Sequence, residues 1–322
     1  MCVPVRPKIH ILPQVSPVPF DEFVRDYPTR SIAGDGFCSG GLTQHHFDEH
    51  GGSWLSLDHH GPQAALLLRT TAEQTHDVVM NDGYFRRFID ERGVFAPQVF
   101  VSHPDEDVCC MIWLIQNAAR VREERLPRLE TLLLVGGRMD ATAGTYRFPP
   151  GYDAKLLRVN YVFEPYRRFK CGGGLGRKKP KEYTAVVRAV CERITEFVDG
   201  GLHELAFDTR HEVLDRGPSW KMIREIGLHA RREIFLDPKL DGFISVDELG
   251  SGRYRYILGA RNSWGPFKPS AFGEYMNQIE GCTVDRWGGN DTIWGSPQVA
   301  GSPTPPKELQ KLALEFHARL KK

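Results

Sequence analysis

Two strand–loop–helix successions in the first half of the chain constrain its fold more than any other feature. In the clearer one, the apolar run Phe95 to Ser102 (FAPQVFVS) leads at once into HPDEDVCCMIWLIQNAARV. There Val108, Met111, Ile112 and Ile115 recur at helical spacing on one face. Upstream, Leu55 and Leu57 alternate in LSLDHH like a short strand that delivers Asp58 at its C-terminal end. PQAALLLRTTAEQTHDVVM then reads as a helix with Pro62 near its first turn. Strands alternating with helices predict βαβ units, so the expected class is α/β with a parallel sheet in the N-terminal domain.

Around these units the pattern is weaker. The Pro-rich start to about residue 28 reads as irregular, with Asp21 opening a short helix, and Ser31 to His60 is too polar and Gly-broken for a helix. LETLLLVGG is a strand or a buried helix leading into RMDATAG. Residues 166 to 182, YRRFKCGGGLGRKKPKE, are basic and Gly-rich; they lack the G-x-x-x-x-G-K-[ST] phosphate-loop pattern and read as a mobile solvated loop or a substrate-gated lid. Helices are expected around 181–199 and 218–235, strands in GFISVDE and RYRYILGA, and a last helix from about Pro305 to Leu320 with Thr304 as its N-cap. At roughly 150 residues per domain, the 322 residues make about two. The first is expected over 1–150 and a smaller α+β domain over 151–322, with the boundary near 150 to 180.

Charge narrows the partners. Lys plus Arg number 42 and Asp plus Glu 41, a net charge of +1, and the pI is near 7.7. A nucleic-acid footprint would push the pI above roughly 9, so an extended nucleic acid is not expected, and any phosphorylated ligand needs a local site. No stretch reaches the roughly 18 consecutive apolar residues of a membrane span, and MCVPVRPKIHILPQ lacks the h-region and cleavage site of a secretion leader. The seven cysteines are odd in number, and Cys109 and Cys110 are adjacent without CxxC spacing. Reduced thiols in a cytoplasmic protein are the simplest expectation.

Five of the twelve histidines, His45, His46, His50, His59 and His60, fall within sixteen residues, interleaved with Asp48 and Asp58. Together with HPDED (103–107) they form acidic and histidine clusters, several at expected strand ends. Ligands in open α/β sheets bind outside the carboxyl ends of strands, so Asp58, Asp105, Asp107 and Asp140 are expected to converge there. That many carboxylates do not stay ionised in one cavity without a cation. Asp and His together suit Mn²⁺, Mg²⁺, Fe or Zn²⁺. The plainer reading of Asp105 is a helix cap.

LDHH at 57–60, HPDED at 103–107 and MDATAG at 139–144 resemble the signature segments of the DHH phosphoesterases. The resemblance covers about 30–145 and implies a site for two divalent metals, Mn²⁺ foremost. Asp105 and Asp107 match the aspartates of the family's P-D-x-D segment, His59 and His60 the histidines of D-H-H, and Asp140 the last aspartate. In the family the P-D-x-D segment precedes D-H-H, whereas here it follows. The family's first histidine falls at Val101, with His103 in an Asn place, so one of His45, His46, Asp48 or His50 is expected to replace it. Asp35, in AGDG, is the candidate for the family's isolated aspartate.

The resemblance further implies a second domain with a Gly-rich anion loop, which WGGNDTIWGSP (287–297) resembles through Gly288, Gly289 and Asn290. Arg253, Arg255 and Arg261 in RYRYILGAR are candidate anion contacts; plain turn and strand positions are the alternative. The expected reaction is hydrolysis of a phosphorylated small molecule or nucleotide between the two domains. A carboxylate such as Asp58 or Asp107 bridges the ions, and His59 or His60 binds metal or protonates the leaving oxygen. Two alternatives remain open: a non-heme iron oxygenase using the same His/Asp set, and a non-catalytic protein that binds a nucleotide or metal.

Overall fold

A computed structural model describes residues 3–41, 43–60, 69–250, 252–283, 285–297 and 300–320. The fold is mixed α/β and divides into two compact units. The first runs to Asp140 and resumes from Phe148 to Ala206; the second comprises 141–147 and Phe207 onward. The division near residue 207 lies well beyond the boundary expected at 150 to 180, because the helices that follow residue 150 pack on the first unit.

The first unit contains β1 (Lys8–Ile11), α1 (Phe20–Asp26), β2 (Ser31–Gly34), β3 (Gln44–Phe47), β4 (Ser53–Leu57), α2 (Thr71–Met80), α3 (Asp82–Phe85), β5 (Gln98–Val101), α4 (Glu106–Gln116), α5 (Ala118–Glu123), α6 (Pro127–Ala141), α7 (Asp153–Cys171), α8 (Gly174–Arg177) and α9 (Pro180–Val198). Its sheet has the order β1-β5-β2-β4-β3. The first four are parallel, and β3 is an antiparallel edge strand against β4. β2 is buried along its whole length and β5 nearly so, as expected for strands covered on both faces. Phe23, Phe37 and Phe100 fill one side of the sheet. The α4 helix, nine of whose eleven residues are buried, is the hydrophobic element that the CCMIWLI run predicted.

Several local expectations change. The Pro-rich start contributes β1, paired with β5. The α2 helix begins only at Thr71, where Thr70 and Glu73 form a reciprocal capping box; the start expected at Pro62 lies outside the described residues. LETLLLVGG belongs to α6. The basic segment is not a long loop, since Tyr166 to Cys171 complete α7 and Gly174–Arg177 form α8.

The second unit holds β6 (His211–Arg216), β7 (Trp220–Glu225), β8 (Gly242–Gly250), β9 (Arg253–Ala260), α10 (Pro269–Glu280), β10 (Gly288–Gly289), β11 (Ile293–Gly295) and α11 (Pro306–Arg319). The sheet order is β10-β11-β9-β8-β7-β6, with α10 and α11 packing Phe272, Met276, Leu309 and Ala313 against Trp220, Tyr256 and Leu258. Residues 218–235 are not a helix. Trp220 to Ile223 are all buried in β7 between β6 and β8, and a short interior strand buried on both faces shows no period-2 alternation to tell it from a buried helix. Thr304 does not cap α11. Pro305 takes that position without a side-chain cap, and the Thr304 hydroxyl donates to Glu280 instead. Among the described residues, no helix is long and apolar enough to cross a membrane.

Candidate metal centre

The three adjacent parallel strands β5, β2 and β4 run in one direction, so their C-terminal ends open on one edge of the sheet. β2 delivers Asp35, β4 delivers Asp58-His59-His60, and β5 leads through His103 to Asp105 and the first turn of α4. Asp35 adopts a left-handed backbone, φ 44°, which Asp tolerates better than most residues. Its amide donates to the Leu57 carbonyl at 2.9 Å, tying the two strand ends together. The Thr71 hydroxyl, at the start of α2, donates to Asp35 Oδ1 at 3.0 Å. Asp105 caps α4 by accepting from the Val108 amide at 2.8 Å, so the plainer reading of that residue is correct and is compatible with a place in the centre.

His59 sits in the middle. Its Nε2 lies 3.3 Å from Asp35 Oδ1, 3.3 Å from Asp140 Oδ2 and 3.7 Å from Asp107 Oδ2. His60 Nδ1 is 3.6 Å from Asp35 Oδ1, and His103 Nδ1 is 2.9 Å from Asp105 Oδ2. Three groups of potential ligand atoms result, each within 4.8 Å of one another: Asp35, His59 and His60; Asp35, His103 and Asp105; and His59, Asp107 and Asp140. Asp140 comes from the last turn of α6, and Asp107 from the first turn of α4.

Asp58 plays a different part. Its Oδ2 accepts from the Gly36 amide, and its Oδ1 accepts from the amides of His59 and His60 and faces His60 Nδ1 at 2.8 Å. The carboxylate is spent on holding the histidine loop, and it belongs to none of the three groups. The expected bridging role of Asp58 is therefore corrected: Asp35 is the carboxylate shared between groups. The Asp58 carbonyl is held in turn by the Thr43 hydroxyl at 3.1 Å and the Gln74 amide at 3.0 Å.

The electrostatics follow from crowding acids and imidazoles together at one edge of the sheet, with Asp35 and Asp107 buried, His59 nearly so and His60 reaching solvent. Burial and the charges of Asp140 and Asp35 push the Asp107 carboxyl well above its ordinary range. Burial and the Asp35 charge push Asp105 up too, and burial raises Asp140 despite the adjacent His59. Burial alone would raise Asp35, but the imidazoles of His60 and His59 outweigh it and hold Asp35 well below its usual range. The Asp35 charge, opposed by burial and helped by Asp58, pushes His60 up to about 10. His103, where burial opposes protonation but Asp105 outweighs it, is pushed up to about 9. Positive charge is thus favoured at this cluster.

His46, Asp48 and His50 are not brought to this centre. His46 is exposed on the edge strand β3. Asp48 Oδ1 accepts from the amides of His50 and Gly52 in the β3–β4 turn, and His50 is exposed beside Glu49. An alternating edge strand and a short turn explain that part of the His-rich composition.

In the second unit, Arg261 is a structural clamp. It donates to the carbonyls of Leu240, Phe235 and Asp237 and lies over the Phe235 ring, so it is not an anion contact. Arg253 reaches the Gly301 carbonyl at 3.4 Å, and Arg255 approaches Asp247 at 3.9 Å. Gly288 and Gly289 pair with Gly295 and Trp294 in a hairpin. A Cβ at Gly289 would stand 2.1 Å from the Ile293 carbonyl oxygen, so close strand approach accounts for the glycine. Asn290 Oδ1 accepts from the amides of Thr292 and Ile293 to close the turn. This is the plain-turn alternative to an anion loop.

Thr71, Thr43 and Gln74 carry no distinctive pattern in the sequence. The helix start at Thr70-Thr71 was masked there by the apolar run before it. No protein-family model matches the chain, and no curated protein matches it.

Proposed function

We propose that the chain is a metal-dependent hydrolase of the DHH phosphoesterase type, acting on a phosphorylated small molecule or nucleotide with the help of two divalent cations. The observation that carries this reading is the overlap of the three ligand groups: Asp35 belongs to two of them and His59 to two, so the donors form one continuous centre. Asp35, His103 and Asp105 would hold one ion, and His59, Asp107 and Asp140 the other, with Asp35 placed to serve both. His103 then supplies the imidazole that Val101 cannot. The donor chemistry fits, since carboxylate oxygens and imidazole nitrogens suit Mn²⁺, Mg²⁺ and Fe. Asp107 Oδ2 is buried without a hydrogen-bond partner, an uncommon condition for a buried oxygen that a cation would relieve.

Bound divalent ions would supply Lewis acidity towards a phosphoryl oxygen and lower the pKa of water towards neutrality. The chain's own residues orient and donate. Thr71 and the Leu57 carbonyl fix Asp35, and Asp58 fixes the His59-His60 loop by accepting both amides. His60 is the exposed member, its side chain 55% accessible. Anchored at Nδ1 by Asp58, it keeps Nε2 for a leaving oxygen, to which it can give a proton.

One observation favours a second reading: Asp35, His59 and His60 alone make a two-histidine, one-carboxylate set, the pattern of non-heme iron oxygenases. Both readings are tested together by elemental analysis, a visible spectrum and phosphodiester turnover with Mn²⁺. Manganese in a colourless protein that loses turnover about 100-fold or more on Asp107→Ala, with unchanged circular dichroism, supports the phosphoesterase. Full activity in Asp107→Ala refutes it. Iron with charge-transfer absorption and no phosphoester turnover favours the oxygenase.

A further inference from the structure

The basic turn between α7 and α9 is not used by the centre as described. Residues 166–181 carry seven cationic side chains and no carboxylate, in a chain of net charge +1. The turn is built rather than loose: Arg177 Nη1 donates to the Gly172 carbonyl at 2.9 Å and the Tyr183 hydroxyl to the Leu175 carbonyl at 2.8 Å. Arg167 is neutralised by Glu106 and Arg168 by Glu164, while Arg177 and Lys179 share Glu182. Lys178 and Lys181 are exposed and have no carboxylate partner among the described residues. Four cations at 177–181 thus face a single carboxylate.

Placement relates this turn to the centre, within the first unit. The α9 helix runs parallel to α4: Cys191 Sγ lies 3.7 Å from the Cys109 carbonyl, and Thr195 Oγ1 lies 2.9 Å from Trp113 Nε1. The same offset sets Val187 level with Asp105, so α9 starts about two turns, or roughly 10 Å, further out, on the side where the strands end. Gln14 secures the turn to that edge, its Nε2 donating to the Lys178 carbonyl at 2.9 Å. Gln14 itself follows Leu12, whose amide bonds the Val101 carbonyl just before His103.

We infer that Lys178 and Lys181, with Lys179 beside them, form a second anion-binding surface beside the centre, and that the substrate is a short chain of phosphoryl or phosphodiester groups. One group lies at the centre and the next ones on these side chains. The role of the first group rests on the phosphoesterase reading; the surface does not. The near-neutral charge elsewhere confines the chain to a few phosphates, because a long polyanion needs an extended basic stripe.

The test is binding of two non-hydrolysable ligands to the full chain in Mg²⁺: imidotriphosphate, and a phosphorothioate thymidine pentanucleotide. Lys178→Ala/Lys181→Ala should weaken binding about tenfold, relative to the affinity for a phosphomonoester. It should also flatten the slope of log K against log salt by about 1.4, at roughly 0.7 per phosphate contact on a single strand. Lys178→Arg/Lys181→Arg should retain both affinity and slope, and neither variant should shift the thermal midpoint. Weakening confined to the triphosphate names an oligophosphate, and weakening confined to the pentanucleotide names a nucleic-acid strand; either supports the surface. Unchanged affinity and slope, or failure of the wild type to bind either ligand, overturns it. Should the lysine variant bind normally while Asp107→Ala still abolishes turnover, the surface fails and the phosphoesterase stands. Should binding depend on the lysines in a protein without phosphoester turnover, the surface stands and the phosphoesterase fails.

Discussion

Glu106 stands between two residues of the centre and makes no contact with it, which makes its partner Arg167 an informative target. The Glu106 carboxylate meets the Arg167 guanidinium bidentately, with Nε to Oε1 at 2.6 Å and Nη2 to Oε2 at 2.9 Å. Arg167 Nη1 also donates to Asn160 Oδ1 at 2.6 Å, and Asn160 Nδ2 donates to the Leu205 carbonyl at 2.8 Å. The side chains are 9% and 19% exposed. Breaking a buried pair by removing one partner typically costs about 3–5 kcal/mol. The partial access of Glu106 to water puts Arg167→Met near the lower end, about 3 kcal/mol, and Glu106→Leu near the same. Replacing both removes the stranded charge, and the double variant should lose only about 2 kcal/mol, giving a coupling of about 4 kcal/mol.

Calorimetry on the full chain reads these values if the transition shifted by Mn²⁺ is followed, because the pair belongs to the first unit. About 3 kcal/mol corresponds to a midpoint roughly 6–12 °C lower in a unit of this size. If the pair also holds the first turn of α4, Arg167→Met should bind Mn²⁺ about 10–100-fold more weakly well below its midpoint. Single losses that add to within about 0.5 kcal/mol in the double variant would refute the coupling, and unchanged Mn²⁺ affinity would refute the positioning role.

Two further outcomes test other parts of the molecule. Glu280 accepts from the hydroxyls of Ser302 and Thr304 and from Trp287 Nε1, so Glu280→Ala, which strands three largely buried donors, should cost about 3 kcal/mol; a loss below about 1 kcal/mol in calorimetry would show those donors finding other partners. Burial depresses His76 below its ordinary 6.5, with Arg69 acting the same way and Asp77 and Glu130 opposing. Its contribution to stability is therefore present above pH 6.5 and is lost as pH falls through the lowered folded value. His76→Gln should flatten the decline of the urea midpoint below pH 6.5, and an unchanged pH profile would count against it.

The parts of the centre legible in the sequence were those where a short apolar strand ends abruptly in acids and histidines. Leu55 and Leu57 announce β4, and the VFV run announces β5 and the buried α4 behind it. Asp35 was legible only as a candidate, since β2 is four residues long and its end is marked by nothing more than AGDG. Composition misled at His46, Asp48 and His50, because a density of ligand-type residues says nothing about which face of a strand they occupy. It misled again at Trp220 to Ile223, where burial from both sides erases the alternation that would mark a strand. Thr71 was hidden because a hydroxyl that orients a carboxylate across 36 positions of chain leaves no local pattern.

The order of segments along the chain matters less than their order in the sheet. In a parallel sheet every strand delivers its last residue to the same edge, so His103 and Asp105 can follow Asp58, His59 and His60 in the chain and still meet them. Here β5, the last strand of its unit in the chain, is inserted between β1 and β2. His103 and Asp105 therefore arrive on one side of β2, and His59 and His60 arrive from β4 on the other. Only the middle strand has ligand-bearing neighbours on both sides, and Asp35 at its end is the carboxylate that both sets reach. Asp58, one strand across, lacks that second neighbour because β3 runs antiparallel and carries its histidines outward on an edge. A carboxylate there has only its own loop to bind, and the amides of Gly36, His59 and His60 take it up. The division between a carboxylate shared by two clusters at Asp35 and a loop anchor at Asp58 is thus a consequence of strand order.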